Sequence, residues 1–166
     1  MAGKPTFEAI VSRHGNTVLR VCRAVVGTAD ADDAWSETFV SAMRAYPDLP
    51  ADANIEAWLV TIAHRKAIDA TRKTARRAIP MAAPPDRVAV ADHDHLGADT
   101  ELTDALRLLP PKQRQAVAYH YLGGLPYAEV AAIIGGRPDA ARRAVADAIA
   151  SLRRSLPGTI RETRDS

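Results

Sequence analysis

Cysteine occurs once in these 166 residues, as Cys22, so no disulfide can form within the chain and a reducing compartment suits it. Aromatic residues make up only 5% of the sequence, and no run of strict apolar–polar alternation occurs, which leaves a sheet architecture without support. No apolar stretch approaches the roughly 20 residues that span a bilayer. The opening Met1-Ala2-Gly3-Lys4-Pro5 lacks the apolar centre of a signal peptide. A cytoplasmic chain with no membrane insertion is expected. Gly-rich phosphate loops, nucleophile elbows and paired catalytic carboxylates are missing. His93 and His95 have no further histidine or cysteine nearby, whereas a zinc site needs four ligands fixed in space. The chain is therefore expected to be no enzyme and to hold no cofactor or metal. Excess charge is lacking too: the formal net charge is +2, so any site for a polyanion must be a local patch.

What the sequence does have is alanine and helical periodicity. Thr6 stands as an N-cap before Phe7, Ile10, Val11, His14, Val18, Leu19, Cys22 and Val26, and Gly27 ends that helix. Asp30 or Thr28 is expected to cap a second helix with Ala34, Trp35, Thr38, Phe39, Ala42, Met43 and Tyr46 on one side. Pro47-Asp48-Leu49-Pro50 breaks the chain, and Asp52 or Asn54 starts a third helix that runs to about Arg77. Residues 79–99 then lose all periodicity, with Pro80, Pro84 and Pro85 followed by Asp86, Asp92, Asp94 and Asp99, which reads as an acidic flexible linker. Periodicity resumes with Thr100 as a cap and Leu102, Leu106 and Leu109 on one face. Pro110-Pro111 ends one helix and opens another, which carries Val117, Tyr121 and Leu122 as far as Gly123-Gly124. Pro126 opens a short helix with Val130, Ile133 and Ile134. Gly135-Gly136-Arg137 turns the chain, and Pro138 starts the last helix, giving a helix-turn-helix pattern. The fold class expected is all-α, as two small helical domains. Residues 1–78 form a three-helix module, 79–99 the linker, 100–156 the helix-turn-helix module and 157–166 a polar tail.

The third helix changes character half way along. Its first half, from Ile55, offers apolar residues. From Arg65 to Arg77 it carries six cations (Arg65, Lys66, Arg72, Lys73, Arg76 and Arg77) against the single anion Asp69, a local charge of +5. At 3.6 residues per turn Arg65, Arg72 and Arg76 share a face, with Lys66, Lys73 and Arg77 one ridge over. Nucleic acid is the commonest partner of such a surface. A solvated basic helix end fits the same residues, because cations near a C-terminus suit the helix dipole.

Four segments, in this order, resemble those of bacterial RNA polymerase sigma factors of the extracytoplasmic-function type. Asp33-Ala34-Trp35-Ser36-Glu37-Thr38-Phe39 is similar to the family's D-x-x-Q-E-x-F. Trp58-Leu59, Ile62-Ala63-His64-Arg65, Asp69 and Arg72 follow its W-L-x-x-I-A-R-N-x-x-x-D-x-x-R helix. Leu109-Pro110-Pro111-Lys112-Gln113-Arg114 resembles L-P-x-x-x-R, and Gly124-Leu125-Pro126-Tyr127-Ala128-Glu129-Val130-Ala131 resembles G-L-S-Y-x-E-I-A. The resemblance runs from about Phe7 to Leu156.

It implies a protein that binds core RNA polymerase, recognises two promoter elements and assists opening of the duplex. Residues 1–78 would then be sigma domain 2 and residues 100–156 sigma domain 4. Asp33, Ser36 and Glu37 would dock on polymerase, with Trp35 and Phe39 serving as anchors or as plain core. Arg65, Lys66, Arg72, Lys73, Arg76 and Arg77 would hold phosphates at the minus-ten element, as duplex and as melted strand. The turn from Leu49 to Asn54 would lie where the family holds a flipped base. Arg137, Asp139, Arg142 and Arg143 would face the minus-thirty-five element from the last helix. The family's anti-sigma proteins are a further candidate partner class. The chain departs from the family at Arg65, where Asn is common. It departs more strongly where the family has T-V-K-S-R-x-x-R-A-R and this chain has Ala140-Ala141-Arg142-Arg143-Ala144-Val145-Ala146-Asp147-Ala148-Ile149. Every phosphate left without a cation there lowers the salt slope of binding by about 0.9. Weak independent DNA binding by that module is expected. Two other readings follow: a sigma-derived adapter that docks polymerase without directing initiation, and a helix-turn-helix regulator that never touches polymerase.

Overall fold

The computed structural model describes residues 3–77 and 96–156, with the backbone alone for Arg77 and for 96–100, and among them every regular element is helical. The first helix, α1 (Phe7–Val26), starts where Thr6 Oγ1 accepts the backbone N–H of Ala9 at 3.2 Å. It ends at Gly27, whose φ of +83° only glycine adopts without strain. The second, α2 (Thr28–Ala45), follows after that single residue. Neither Thr28 nor Asp30 caps it: a one-residue connector leaves Gly27 itself at the cap position, without a side chain. A 3₁₀ turn (Tyr46–Asp48) closes α2, and α3 (Ile55–Arg77) begins where Asn54 Oδ1 accepts the N–H of Ala57 at 3.1 Å.

These three helices bury Ile10, Val18, Val21, Ala31, Ala34, Ala42, Leu59 and Val60 against one another. Trp35 crosses from α2 to donate its indole N–H to the Gly15 carbonyl at 2.9 Å. Its ring lies 4.7 Å from that of Phe39, and Phe7, Tyr46 and Trp58 extend the same aromatic cluster. The aromatics on α2 and α3 are thus core. Met43 is the exception to the face expected of α2: it is 54% exposed, because Ala31, Ala34, Thr38 and Ala42 already fill the buried stripe.

The second module comprises α4 (Leu96–Arg107), α5 (Pro111–Val117), α6 (Tyr127–Ile134) and α7 (Pro138–Ser155). Thr100 does not cap α4, because the helix starts a turn earlier at Leu96; Gly97 and Asp99 are poor helix formers and hide that turn from periodicity. Asp86, Asp92, Asp94, His93 and His95 lie outside the described residues. After α5 the chain widens into one π turn (Ala118–Leu122), closed by the N–H of Gly123 on the Ala118 carbonyl at 2.9 Å. Gly123 has no room for a Cβ, which would stand 2.7 Å from the Tyr119 carbonyl oxygen. The π turn rotates the residues that follow Val117. Tyr119 becomes fully buried, while Tyr121, expected on the packed face, is 60% exposed. Gly135 and Gly136, with φ of +89° and +98°, make the tight turn between α6 and α7.

The two modules pack together: α1 meets α4, α5 and the π turn, and α3 meets α6. Arg114 binds them. Its guanidinium donates to the carbonyls of Leu106 at 3.0 Å, Arg107 at 2.8 Å and Leu109 at 3.0 Å, the open end of α4. It also reaches the Val25 carbonyl of α1 at 3.3 Å, and Arg107 donates to the Val26 carbonyl at 3.0 Å. Helix C-terminal carbonyls have no partners inside their own helix, so these two arginines cap both.

Replacing Arg114 by Met keeps the aliphatic stem and removes its hydrogen bonds to the carbonyls of Val25, Leu106, Arg107 and Leu109. A loss of about 2–4 kcal/mol is expected in urea unfolding, with Lys recovering only part of it because an ammonium cannot fork to several acceptors.

Candidate nucleic-acid interface

The amphipathic first half of α3 fixes the orientation of its basic second half. Leu59, Val60, Ala63 and Ala67 point into the bundle, which turns Arg65, Arg72, Lys73 and Arg76 to solvent. Lys66 is half-buried, and the Arg77 side chain lies outside the described part. Among the described residues none of Arg65, Lys66, Arg72, Lys73 and Arg76 is held in an ion pair. The stripe therefore presents unneutralised cations along one side of a rigid helix. Asn54 is exposed at the head of the same helix, where its side chain serves as the N-cap. The turn before it is pinned from the N-terminus. Lys4 Nζ donates to the Leu49 carbonyl at 2.8 Å and to the Tyr46 carbonyl, and Tyr46 donates its hydroxyl to the Pro5 carbonyl. Sequence reasoning missed Lys4, which carries no periodic signal.

His64 sits on the reverse side of this helix. It is buried, and its Nδ1 shares a hydrogen bond of 2.6 Å with the hydroxyl of Tyr119 from the second module. Burial, and then the cation of Arg65 beside it, push its pKa below the usual histidine value. His14, 3.8 Å from Glu56, is lowered as well: burial outweighs the attraction of Glu56, and Arg13 adds to the lowering. Near Tyr119, burial pushes the Cys22 thiol up to about 12, and burial, then the nearby Cys22, raises the pKa of the Tyr119 phenol.

On α7, Ala141, Val145, Ala148 and Leu152 face the core, which leaves Arg137, Asp139, Arg142 and Arg143 exposed on the outer side. Arg137 occupies the N-cap position without a side-chain bond. Asp139 and Arg142 form an exposed pair at 3.7 Å, and the Arg142 guanidinium lies 5.2 Å from the ring centre of Tyr127. Asp147 is exposed, while Ala144 and Ile149 are half-buried.

Asp33, Ser36 and Glu37 line the exposed side of α2, apart from both basic helices in the sequence but on the same module as α3. Val40, 44% exposed, and Met43 continue that side and add an apolar end to it. Sequence reasoning missed Val40 as well, although its position two residues after buried Thr38 marks it as an apolar residue facing outward.

Residues 10–77 match the family model for sigma-70 region 2, and residues 99–152 match that for sigma-70 region 4. CarQ of Myxococcus xanthus, an RNA polymerase sigma factor, is 31% identical over 146 residues, covering 82% of this chain and 80% of that protein. The chain belongs to the sigma-70 family. SigE of Mycolicibacterium smegmatis, an extracytoplasmic-function sigma factor, is 34% identical over 146 residues; the match covers 81% of this chain and 55% of that protein, so this chain spans about half the length of that relative. The same fold occurs in RpoE of Bartonella quintana, solved with the anti-sigma factor NepR, at a TM-score of 0.75 with 21% identity over 92% of this chain and 98% of that one. CnrH, solved with the cytosolic domain of CnrY, superposes at 0.67 with 24% identity over 92% and 88% of the two chains. Extracytoplasmic-function relatives and both matched regions agree with the order of the four sequence segments. Among the described residues no helix is long and apolar enough to cross a membrane.

Both histidines bind a proton less tightly folded than unfolded. Their share of stability is thus complete above the unfolded value near 6.5 and is lost as pH falls through it toward the lower folded values. Urea midpoints should drop between about pH 7.5 and about pH 5.5, and His64→Gln should flatten the drop without removing it.

Proposed function

We propose that this chain seats on core RNA polymerase, directs it to promoters and assists duplex opening, without catalysing a covalent reaction or holding a cofactor, in the cytoplasm. The exposed cations of α3 carry this reading, because they lie together within the segment that matches sigma-70 region 2, and such a surface suits phosphates. In it the three-helix module and the module that begins with α4 act as separate promoter-binding units. Arg65, Lys66, Arg72, Lys73, Arg76 and Arg77 hold the backbone of the minus-ten element as duplex and as melted strand. Asn54 closes the turn where a flipped base is received. Arg137, Asp139, Arg142 and Arg143 meet the minus-thirty-five element. Asp33, Ser36 and Glu37, extended by Val40 and Met43, form the polymerase contact, a charged rim around an apolar end. A neighbour in fold, RpoE of Bartonella quintana, was solved with the anti-sigma factor NepR, which supports an anti-sigma protein as a partner here.

A second reading, an adapter that docks polymerase without selecting promoters, is favoured by α7. Its outer face carries the anion Asp147, and Ala144 and Ile149 supply no cation. In vitro transcription with the purified chain, core polymerase and genomic DNA decides between them: start sites that share two spaced motifs support the sigma reading, and core binding without defined starts supports the adapter.

Arg72→Ala combined with Lys73→Ala should weaken promoter opening more than core binding and reduce the salt slope by about 0.7–0.9 per cation removed. Equal loss of both activities would contradict the assignment. Met43→Asp should do the reverse, lowering affinity for core polymerase by about 10- to 100-fold while leaving unfolding midpoints unchanged.

A further inference from the structure

The side chain of Tyr127 is engaged from two directions. The His120 ring stacks on it, with centroids 4.1 Å apart and planes 15° from parallel. The Arg142 guanidinium lies over it at 5.2 Å. His120 is itself fixed: its Nδ1 donates to the Leu125 carbonyl at 2.7 Å, and Tyr121 abuts it edge to face at 4.9 Å. The π turn makes that fixation possible, since its extra residue places His120 beside the Leu125 carbonyl at the foot of α6. A continuous set of contacts therefore runs from the π turn through His120 and Tyr127 to Arg142 on the outer face of α7.

Arg142 needs such support. Its side chain is largely exposed, and Asp139 at 3.7 Å gives a water-screened pair worth little by itself. A free arginine must surrender rotamer freedom to present its planar fork to a base edge. A guanidinium already resting on an aromatic face surrenders less, and planar stacking is a property that arginine has and lysine lacks.

We infer that Tyr127, held by His120, is a positioning residue that pre-orients Arg142 for reading a base edge, and so sets promoter selectivity at the position Arg142 reaches. This deepens the promoter-binding reading and rests on it. The phenol acts through its ring face, not through its hydroxyl.

The test uses the full chain bound to core RNA polymerase and a duplex library randomised across the footprint of α7. Arg142→Ala first identifies the base pair whose preference depends on that side chain. Tyr127→Leu should then lower discrimination at that base pair by about 2- to 5-fold, with discrimination elsewhere, the salt slope and the thermal midpoint unchanged. Tyr127→Phe should retain wild-type discrimination. In the Arg142→Ala background Tyr127→Leu should be silent. His120→Gln keeps a donor for the Leu125 carbonyl but removes the stack, and should shift selectivity at the same base pair, so the inference stays testable if the leucine variant folds poorly. Loss in the phenylalanine variant equal to that in the leucine variant, or a loss spread evenly over all positions, would overturn the inference while leaving promoter binding intact. A wild-type chain that enriches no sequence when bound to core polymerase would instead refute the promoter reading, and this inference with it.

Discussion

A helix ends with carbonyl oxygens that point along its axis and have no partner of their own, and in this chain two such ends meet at one side chain. Arg114 closes α4 by bonding to Leu106, Arg107 and Leu109, and it spans to Val25 at the end of α1. Arg107 completes the junction on Val26. The capping requirement of one module is met partly by the other, so the two share an edge of polar bonds around an apolar seam. Gly27 belongs to the same junction. A Cβ there would fall on the Arg107 guanidinium, so the tight α1–α2 connector and the inter-module contact use the same space.

That seam gives the basic helix two unlike sides. Its cations face solvent, while His64 on the reverse is bonded to the buried hydroxyl of Tyr119. The packing that turns the α3 cations to solvent therefore also binds that helix to the second module. Arg65 belongs to the exposed stripe and at the same time disfavours a proton on its neighbour His64.

Much of the chain was legible because local chemistry and tertiary packing ask for the same residue. Thr6 and Asn54 cap helices in the structure as their side chains suggest, Pro111 opens α5, and Gly27 ends α1. The all-helical class and the family followed from periodicity and from four short segments taken in order. Where expectation and structure part, the deciding interaction is not local. Tyr119 and Tyr121 exchange burial through a single π turn, which a strict 3.6-residue period cannot register. Met43 lies outside because Ala31, Ala34, Thr38, Phe39 and Ala42 already fill the stripe it was expected to join. Arg114 reads in sequence as part of a helix-start segment, and nothing nearby in the chain shows that its fourth acceptor stands 89 residues away. Of the residues proposed to meet DNA, the cations of α3 and α7 are visible in the sequence, whereas the Tyr127 ring against Arg142 is seen only in the structure.

Cys22 lies on α1 under the π turn, nearly inaccessible, its thiol pushed up to about 12. Only the thiolate reacts readily with alkylating agents. While the lobes stay joined, the sole sulfhydryl is chemically silent, and any parting that admits water to it would also restore its ionisation. The rate at which Cys22 is alkylated would therefore report how often its surroundings open.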